Sequence, residues 1–421
     1  MLALILLALT ARLSEIAPAY SSTSVNAAIF RANPVVTYAP DSTQYAAFYD
    51  PEGRVTLASR RLGSDAWTVS PTQYTGKVAD AHNVISIAVD SLGYLHASFD
   101  HHGHPLRYAR SVAPGSLTLG PLRPMTGDDE QDVTYPEFHT LPDGSLLFAY
   151  RSGASGRGNM VLNRYDAATD TWHRLHDILI DGERERNAYW QMAADAQGTL
   201  HLSWVWRETW LVETNHDLCY ARSADGGRTW TRSDSTLYAL PITIATAETA
   251  CRIPQNSELI NQTSMTATPD GHPMIATYWR DAADSVPQFR LVSHDGREWR
   301  SEIVGRRATP FSLSGGGTKS IPISRPKVVA DTTDIYYIFR DAERGSRISV
   351  ATRPLGEAGE WQLFDLTDYS VGAWEPSIDM PLWTSAGLLH VYAQPVSQGD
   401  GEKVVESAPT QAAVLEVNTG R

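Results

Sequence analysis

Apolar residues recur along this chain in short alternating runs broken at Asp and Gly, the period-two signature of half-buried strands, and nowhere at a sustained helical period. SIAVDSLGYLHASFD from Ser86, FHTLPDGSLLFAYR from Phe138, QMAADAQGTLHLSWVWR from Gln191 and MTATPDGHPMIATYWR from Met265 each read as strand, Asp/Gly turn, strand. The outline recurs less cleanly at Val36, Val328 and Ser377, which makes seven units. Their period of roughly 50–60 residues is that of propeller blades. A second signature, SADGGRTW at Ser223–Trp230, fits the Asp-box pattern S-x-D-x-G-x-T-W, in which Asp and Gly tighten a hairpin and the Trp packs between sheets. Degenerate copies end at Trp67, Trp172, Trp299 and Trp361. The pattern predicts an all-β, single-domain, seven-bladed β-propeller over residues 20–421, with four strands per blade and Trp230 buried near a hairpin. Two β-sandwiches in tandem are the architecture it competes with.

Composition refines this reading at both ends. Residues 1–10, MLALILLALT, are too few to span a bilayer but suffice for the apolar region of a signal peptide, and Ala17-Pro18-Ala19 supplies a cleavage motif. Residues 1–19 are therefore expected to be a leader and the protein secreted or periplasmic, although the basic segment that usually precedes the apolar run is missing. No later run is apolar for long enough to insert in a membrane. A net charge of −13 excludes nucleic acid as the main partner, because that needs a broad basic footprint. Twelve Trp and 18 Tyr are a heavy load of flat, half-polar rings suited both to strands and to sugar surfaces. A monomer is expected.

In a propeller, residues just before each first strand and just after each second strand ring one mouth of the axis. The starts are His82, Tyr135, Tyr189 with Trp190, Gln262, Arg325 and Trp374; the ends are His101 and His102, Arg151, Arg207, Arg280 and Arg340. Imidazole, phenol, indole and guanidinium are the groups that surround a carboxylated sugar. Arg280 and Arg340, each followed by Asp, read instead as ion pairs holding turns, and His82 reads equally as a buried core histidine.

The motifs DAHN at Asp80, YLHASFDHHG, VTYPEF, RNAYWQ and CRIPQNSELINQTSM from Cys251 resemble those of BNR-4 type propellers, a group that includes ulvan lyases and rhamnosyl-glucuronate lyases. The resemblance runs from Ser24 to about Gln394. It implies β-elimination at a uronic acid of an acidic polysaccharide or oligosaccharide, with no organic cofactor. His82 or His102 would be the base, Tyr150 or Tyr189 the acid, and Arg164 with Arg252 the groups that neutralise the carboxylate. Arg151, a substitute for Arg164, would bind substrate together with Trp190, Arg207 and Trp374. Some relatives carry a structural metal, and His176, His216, Cys219 and Cys251 would form a Cys₂His₂ zinc site here; a Cys219–Cys251 disulfide is the alternative. A non-catalytic glycan-binding propeller is the rival function. An exo-sialidase is disfavoured because the one Arg-Ile-Pro, at Arg252, lies in mid-chain.

Overall fold

In the computed structural model, which describes residues 9–28, 33–261, 264–356 and 359–419, the alternating runs form seven antiparallel sheets around one axis as a seven-bladed β-propeller. From inside out, blade 1 is Val35–Tyr38, Thr43–Tyr49, Arg54–Arg61 and Thr68–Thr75, and blade 2 is Ile85–Val89, Leu95–Phe99 and Tyr108–Arg110. Blade 3 is Val133–Thr140, Leu146–Ala154, Arg157–Asp166 and Thr171–Ile180; blade 4 is Asn187–Ala194, Leu200–Arg207, Asn215–Ser223 and Glu248–Cys251. Blade 5 is Ser264–Ala267, Pro273–Trp279, Gln288–His294 and Trp299–Ile303; blade 6 is Lys327–Ala330, Asp334–Asp341, Arg347–Pro354 and Gln362–Asp365. Blade 7 is Leu389–Ala393 and Thr410–Asn418, completed on its outside by Thr10–Ala19.

Four strands per blade therefore holds for most blades but not for all. Blades 2 and 7 have three, and blade 3 gains a fifth, His102–His104, on its inner edge. The segment expected to be the second half of a leader is the ring-closing strand: Ala17, Pro18 and Ala19 lie opposite Ala412, Gln411 and Thr410. Residues 1–8, and Gln262 of the predicted mouth, lie outside the described residues.

Alternation along each strand divides its side chains between two neighbouring blades. Leu200, Leu202, Trp204 and Trp206 face blade 3, while Val205 of the same strand faces blade 5. The result is seven apolar layers, one between each adjacent pair of blades. Trp230 lies fully buried in the layer between blades 3 and 4, its Nε1 donating to Gly227 O at 3.0 Å. Burying an indole of this size contributes roughly 4–6 kcal/mol of transfer free energy, before the entropy of ordering it. The Asp-box geometry follows from its sequence: the Asp225 carboxylate accepts from the backbone N–H of Arg228 and Thr229 at 3.0 and 2.9 Å, and Ser223 Oγ accepts from Gly227 N at 2.9 Å. Blades 2 and 4 also share a buried relay. His96 joins Asp90 to Tyr108 at 3.1 and 2.7 Å, and His201 joins Asp195 to Tyr220 at 3.1 and 2.8 Å. These histidines are structural.

Candidate active site at one mouth of the axis

The chain enters blade 2 through Asp80-Ala81-His82, an Asx turn in which Asp80 Oδ1 accepts from His82 N at 2.9 Å. The same carboxylate takes both candidate imidazoles. His82 Nδ1 lies 2.9 Å from Oδ1 and His102 Nδ1 lies 2.6 Å from Oδ2. The rings stack with centroids 4.0 Å apart and planes at 17°. Because Nδ1 of each ring donates to a carboxylate, Nε2 is the nitrogen each has left for a ligand. His102 arrives here on the extra strand, where it pairs with Thr134 of blade 3 while His104 pairs with Val133. Among the described residues, Asp80, His82 and His102 are the one group of His, Cys, Asp or Glu ligands whose donor atoms all lie within 4.8 Å of one another.

Tyr135 is brought beside this pair by a backbone irregularity. The register between Thr134↔Arg151 and Glu137↔Ala149 contains one extra residue on the inner strand, and Tyr135 takes φ = 60°. Pro136 cannot donate to the ladder, so the Tyr-Pro pair suits a bulge, which re-aims the preceding side chain. Holding a bulky aromatic residue in the left-handed region costs on the order of 1–3 kcal/mol, an expense typical of functional sites. The Tyr135 ring lies 5.9 Å from His82 and 5.9 Å from Tyr189.

Two guanidiniums complete the wall. Arg151 lies 5.0 Å over the Tyr135 ring and donates to Thr134 Oγ1 at 3.1 Å. Arg207 lies 5.5 Å over the Tyr189 ring and donates to the carbonyls of Thr209 and Trp210. Gly158 is what lets Arg151 lie there, since a Cβ at that position would sit 2.5 Å from the Arg151 Cδ. Among the described residues, the Tyr189 hydroxyl meets Asn187 Nδ2 at 3.4 Å and Ser155 Oγ at 3.5 Å.

The electrostatics follow from these neighbours. Burial pushes the Tyr189 phenol up, but the Arg207 and Arg151 charges more than reverse this and bring it down to about 7. Burial pulls His82 down, yet Tyr135, Asp80 and Glu402 outweigh it and hold the imidazole well above its ordinary value. Asp80 is pushed up by burial and pulled further down by its bonds from His102 and His82, so it stays far below the usual carboxylate range. At neutral pH the site thus holds an imidazolium, two guanidiniums and a phenol near its midpoint, against two carboxylates.

Sequence reasoning missed three contributors. Asp80 was legible only as part of DAHN. Glu402, from the last inter-strand loop, reaches His82 Nδ1 at 3.2 Å and is steadied by Thr318 N at 2.6 Å. Trp210 is 61 % exposed, with its ring packed on Gly316, where a Cβ would come within 2.5 Å. Loops 208–214, 313–320 and 399–405 form one rim, joined through Val212 N to Gly315 O at 2.9 Å and Gly401 N to Thr318 O at 2.8 Å. No spacing rule connects segments so far apart.

Several predicted residues lie elsewhere. Tyr150 faces the blade 2 side of its strand, where its hydroxyl meets Asp128 O and Arg174, and burial raises it. Arg164 lies opposite Leu147, toward the other end of the blade, against Ser145 and Asp143; Arg151 occupies the position expected of it. Arg252 is an exposed residue at the outer edge of blade 4, paired with Asp217 at 2.8 Å. Trp190 and Trp374 are buried, the first in the layer between blades 3 and 4 and the second between blades 6 and 7, where its Nε1 donates to Tyr392 O. The Cys/His quartet does not converge. Cys251 pairs across from Leu218 while Cys219 pairs across from Thr249, so the two thiols point to opposite faces of blade 4 and are free. His216 bonds Glu208 at 2.8 Å, and His176 bonds Gly227 O at 2.6 Å.

Comparison with known proteins places the chain in a family. The long isoform of ulvan lyase from Pseudoalteromonas sp. (strain PLSV) is 31 % identical over 147 residues, covering 24 % of this chain and 15 % of that protein. The short isoform from Alteromonas sp. (strain LOR) is 28 % identical over 154 residues, covering 25 % and 29 %. The chain thus matches less than a third of the length of these curated relatives. Among solved structures, the polysaccharide lyase Uly1 superposes with a TM-score of 0.70 at 15 % identity, over 93 % of this chain and 90 % of that one. A PL25 ulvan lyase bound to -[GlcA(1-4)Rha3S]- superposes with a TM-score of 0.67 at 16 % identity, over 96 % and 93 %. At such identities the likeness is one of fold. The description "BNR repeat-containing family member" matches residues 43–307, well over half of the chain, and the protein therefore belongs to that family.

Proposed function

We propose that this protein is a polysaccharide lyase that cleaves a uronate-containing glycan by β-elimination at the His82–His102 mouth. The observation that carries the proposal is geometric: Arg207 lies 5.5 Å over the Tyr189 ring and Arg151 lies 5.0 Å over the Tyr135 ring, which stands between Tyr189 and the stacked His82–His102 pair. A proton α to a carboxylate is very weakly acidic, so the developing enolate charge must be met by fixed cations before a base can act. Arg151 and Arg207 supply those cations. The Tyr189 phenolate takes the C5 proton, the C5–H electron pair becomes the C4=C5 bond, the C4–O4 bond breaks, and the His82 imidazolium protonates the leaving oxygen through Nε2. His102, on the same carboxylate, orients the sugar. The reaction leaves Tyr189 protonated and His82 neutral, and exchange with water restores both. The proposed roles differ from those the sequence suggested, in which histidine was the base: here the carboxylates keep His82 charged while the arginines favour ionisation of the phenol.

Support for a uronate substrate comes from the relatives named ulvan lyases and from the local basic wall on a chain of net charge −13. The test is incubation with ulvan and with rhamnosyl-glucuronate-terminated gums while following the ultraviolet absorbance of the unsaturated uronate. Binding of these polymers without any rise in absorbance refutes elimination and leaves a lectin.

A further inference from the structure

Trp210 alone among the described tryptophans is exposed, at 61 %. A single apolar side chain on a surface needs no explanation; what distinguishes this one is how it is held. Its benzo ring rests on Gly316, where a Cβ would come within 2.5 Å of Cε3 and 2.8 Å of Cζ3, so only glycine leaves room for it. Its own loop is closed by side chains, Leu211 N donating to Thr209 Oγ1 at 3.1 Å and Thr214 Oγ1 donating to Leu211 O at 2.7 Å. A ring fixed in this way loses little freedom when a ligand covers it. The platform is tied to the proposed elimination site on two sides. Arg207, which lies over the Tyr189 ring, donates through Nη2 to the Trp210 carbonyl. Gly317 adjoins Glu402, whose Oε1 is 3.5 Å from the place of a Gly317 Cβ and 3.2 Å from His82 Nδ1. A glycan held at the wall of Arg151 and Arg207 thus has the indole beside it for its next sugar.

Charge decides what that sugar is. Gly315 N donates to Glu213 Oε2 at 2.9 Å and Thr318 N donates to Glu402 Oε1 at 2.6 Å, so a carboxylate flanks the glycines under the ring on each side. The Lys319 ammonium beside Gly315 is taken by Asp400 at 2.7 Å. Of the other cations, Arg207 is turned to Tyr189 and Lys403 packs against Gly399. A sulfate or carboxylate on a sugar at the indole therefore meets carboxylates and engaged cations, whereas the C–H face of an uncharged ring suits an indole. We propose that Trp210, seated on residues 315–317, forms a second sugar subsite, for an uncharged sugar that adjoins the uronate. Its placement rests on the uronate lying at the wall of Arg151 and Arg207.

The test measures binding by titration calorimetry with native, sulfated ulvan and with chemically desulfated ulvan, in the full chain carrying Tyr189→Phe so that the polymer stays intact. Desulfated ulvan should bind more tightly than native ulvan by about threefold or more at low salt, and the preference should shrink as salt screens Glu213 and Glu402. Trp210→Ala should weaken the binding of desulfated ulvan about threefold to tenfold. Gly316 has no left-handed φ, so alanine suits its backbone, and Gly316→Ala should displace the indole with the same loss and an unchanged melting temperature. Trp210→Phe, which keeps an aromatic face, should retain most of the affinity. No binding of desulfated ulvan, tighter binding of native ulvan, or binding that survives both Trp210→Ala and Gly316→Ala overturns the proposal. Elimination is read separately: a wild-type protein that binds desulfated ulvan through Trp210 without any rise in ultraviolet absorbance keeps the subsite and refutes the lyase reading.

Discussion

Tyr189→Phe is the substitution that bears most directly on the proposed chemistry. An ordinary tyrosine is ionised to about one part in a thousand at pH 7, whereas the Arg207 and Arg151 charges bring Tyr189 down to about 7 and favour its phenolate. Removing the hydroxyl removes the base and leaves the ring in its layer. General-base removal costs about 10²–10⁴ in rate, or about 3–5 kcal/mol of transition-state stabilisation. Among the described residues, the two hydrogen bonds lost, to Asn187 and Ser155, are long, at 3.4 and 3.5 Å, and together contribute no more than about 1 kcal/mol. Arg151 and Arg207 keep their Thr134, Thr209 and Trp210 partners. The variant should therefore lose kcat, with little change in KM or melting temperature, in a continuous ultraviolet assay. The wild-type pH profile of kcat/KM should rise through about 7 as the phenol ionises and fall at higher pH as His82 gives up its proton. Arg207→Met removes the nearer stabilising charge and should shift the rising limb upward. A Tyr189→Phe protein that keeps more than about a third of its turnover with an unchanged rising limb would refute the assignment.

Three further outcomes are expected. Glu402→Gln removes one of the anions that hold His82 protonated, so the falling limb of the same profile should move to lower pH while the rising limb stays in place. Trp210→Ala should raise KM several-fold with kcat retained, since an exposed aromatic platform contributes about 0.5–1.5 kcal/mol of binding that ground and transition states share. Deletion of residues 1–19 takes away the strand that closes blade 7 and exposes the Thr410–Asn418 edge, and should lower the melting temperature by many degrees or leave aggregated protein by size-exclusion chromatography.

The number of blades, their alternation and the Asp-box hairpin at Ser223–Trp230 were legible in the sequence, because each depends on contacts between residues a few positions apart. Periodicity assigns Trp204 and Val205 to opposite faces of one strand, and Asp/Gly chemistry sets the turn between strands whatever surrounds it. The mouth was legible in part: His82, His102, Tyr189, Arg151 and Arg207 lie at strand ends that any propeller brings together. Position along a strand decided the misses. Arg164 and Tyr150 belong to the right blade, but one lies toward its far end and the other on its other face, distinctions that one or two residues of register create. Cys219 and Cys251 separate for the same reason, since a one-residue offset across a strand pair reverses the face. Ring closure was beyond sequence reading altogether. Thr10–Ala19 carries the composition of a leader's end, and only the edge left open by Thr410–Asn418 makes a strand of it. Glu402 likewise gains meaning only where the last blade's loop meets the turn into blade 2. Local propensity fixed the strands, whereas the charge on His82 and the proton on Tyr189 were set by groups that only the closed ring assembles.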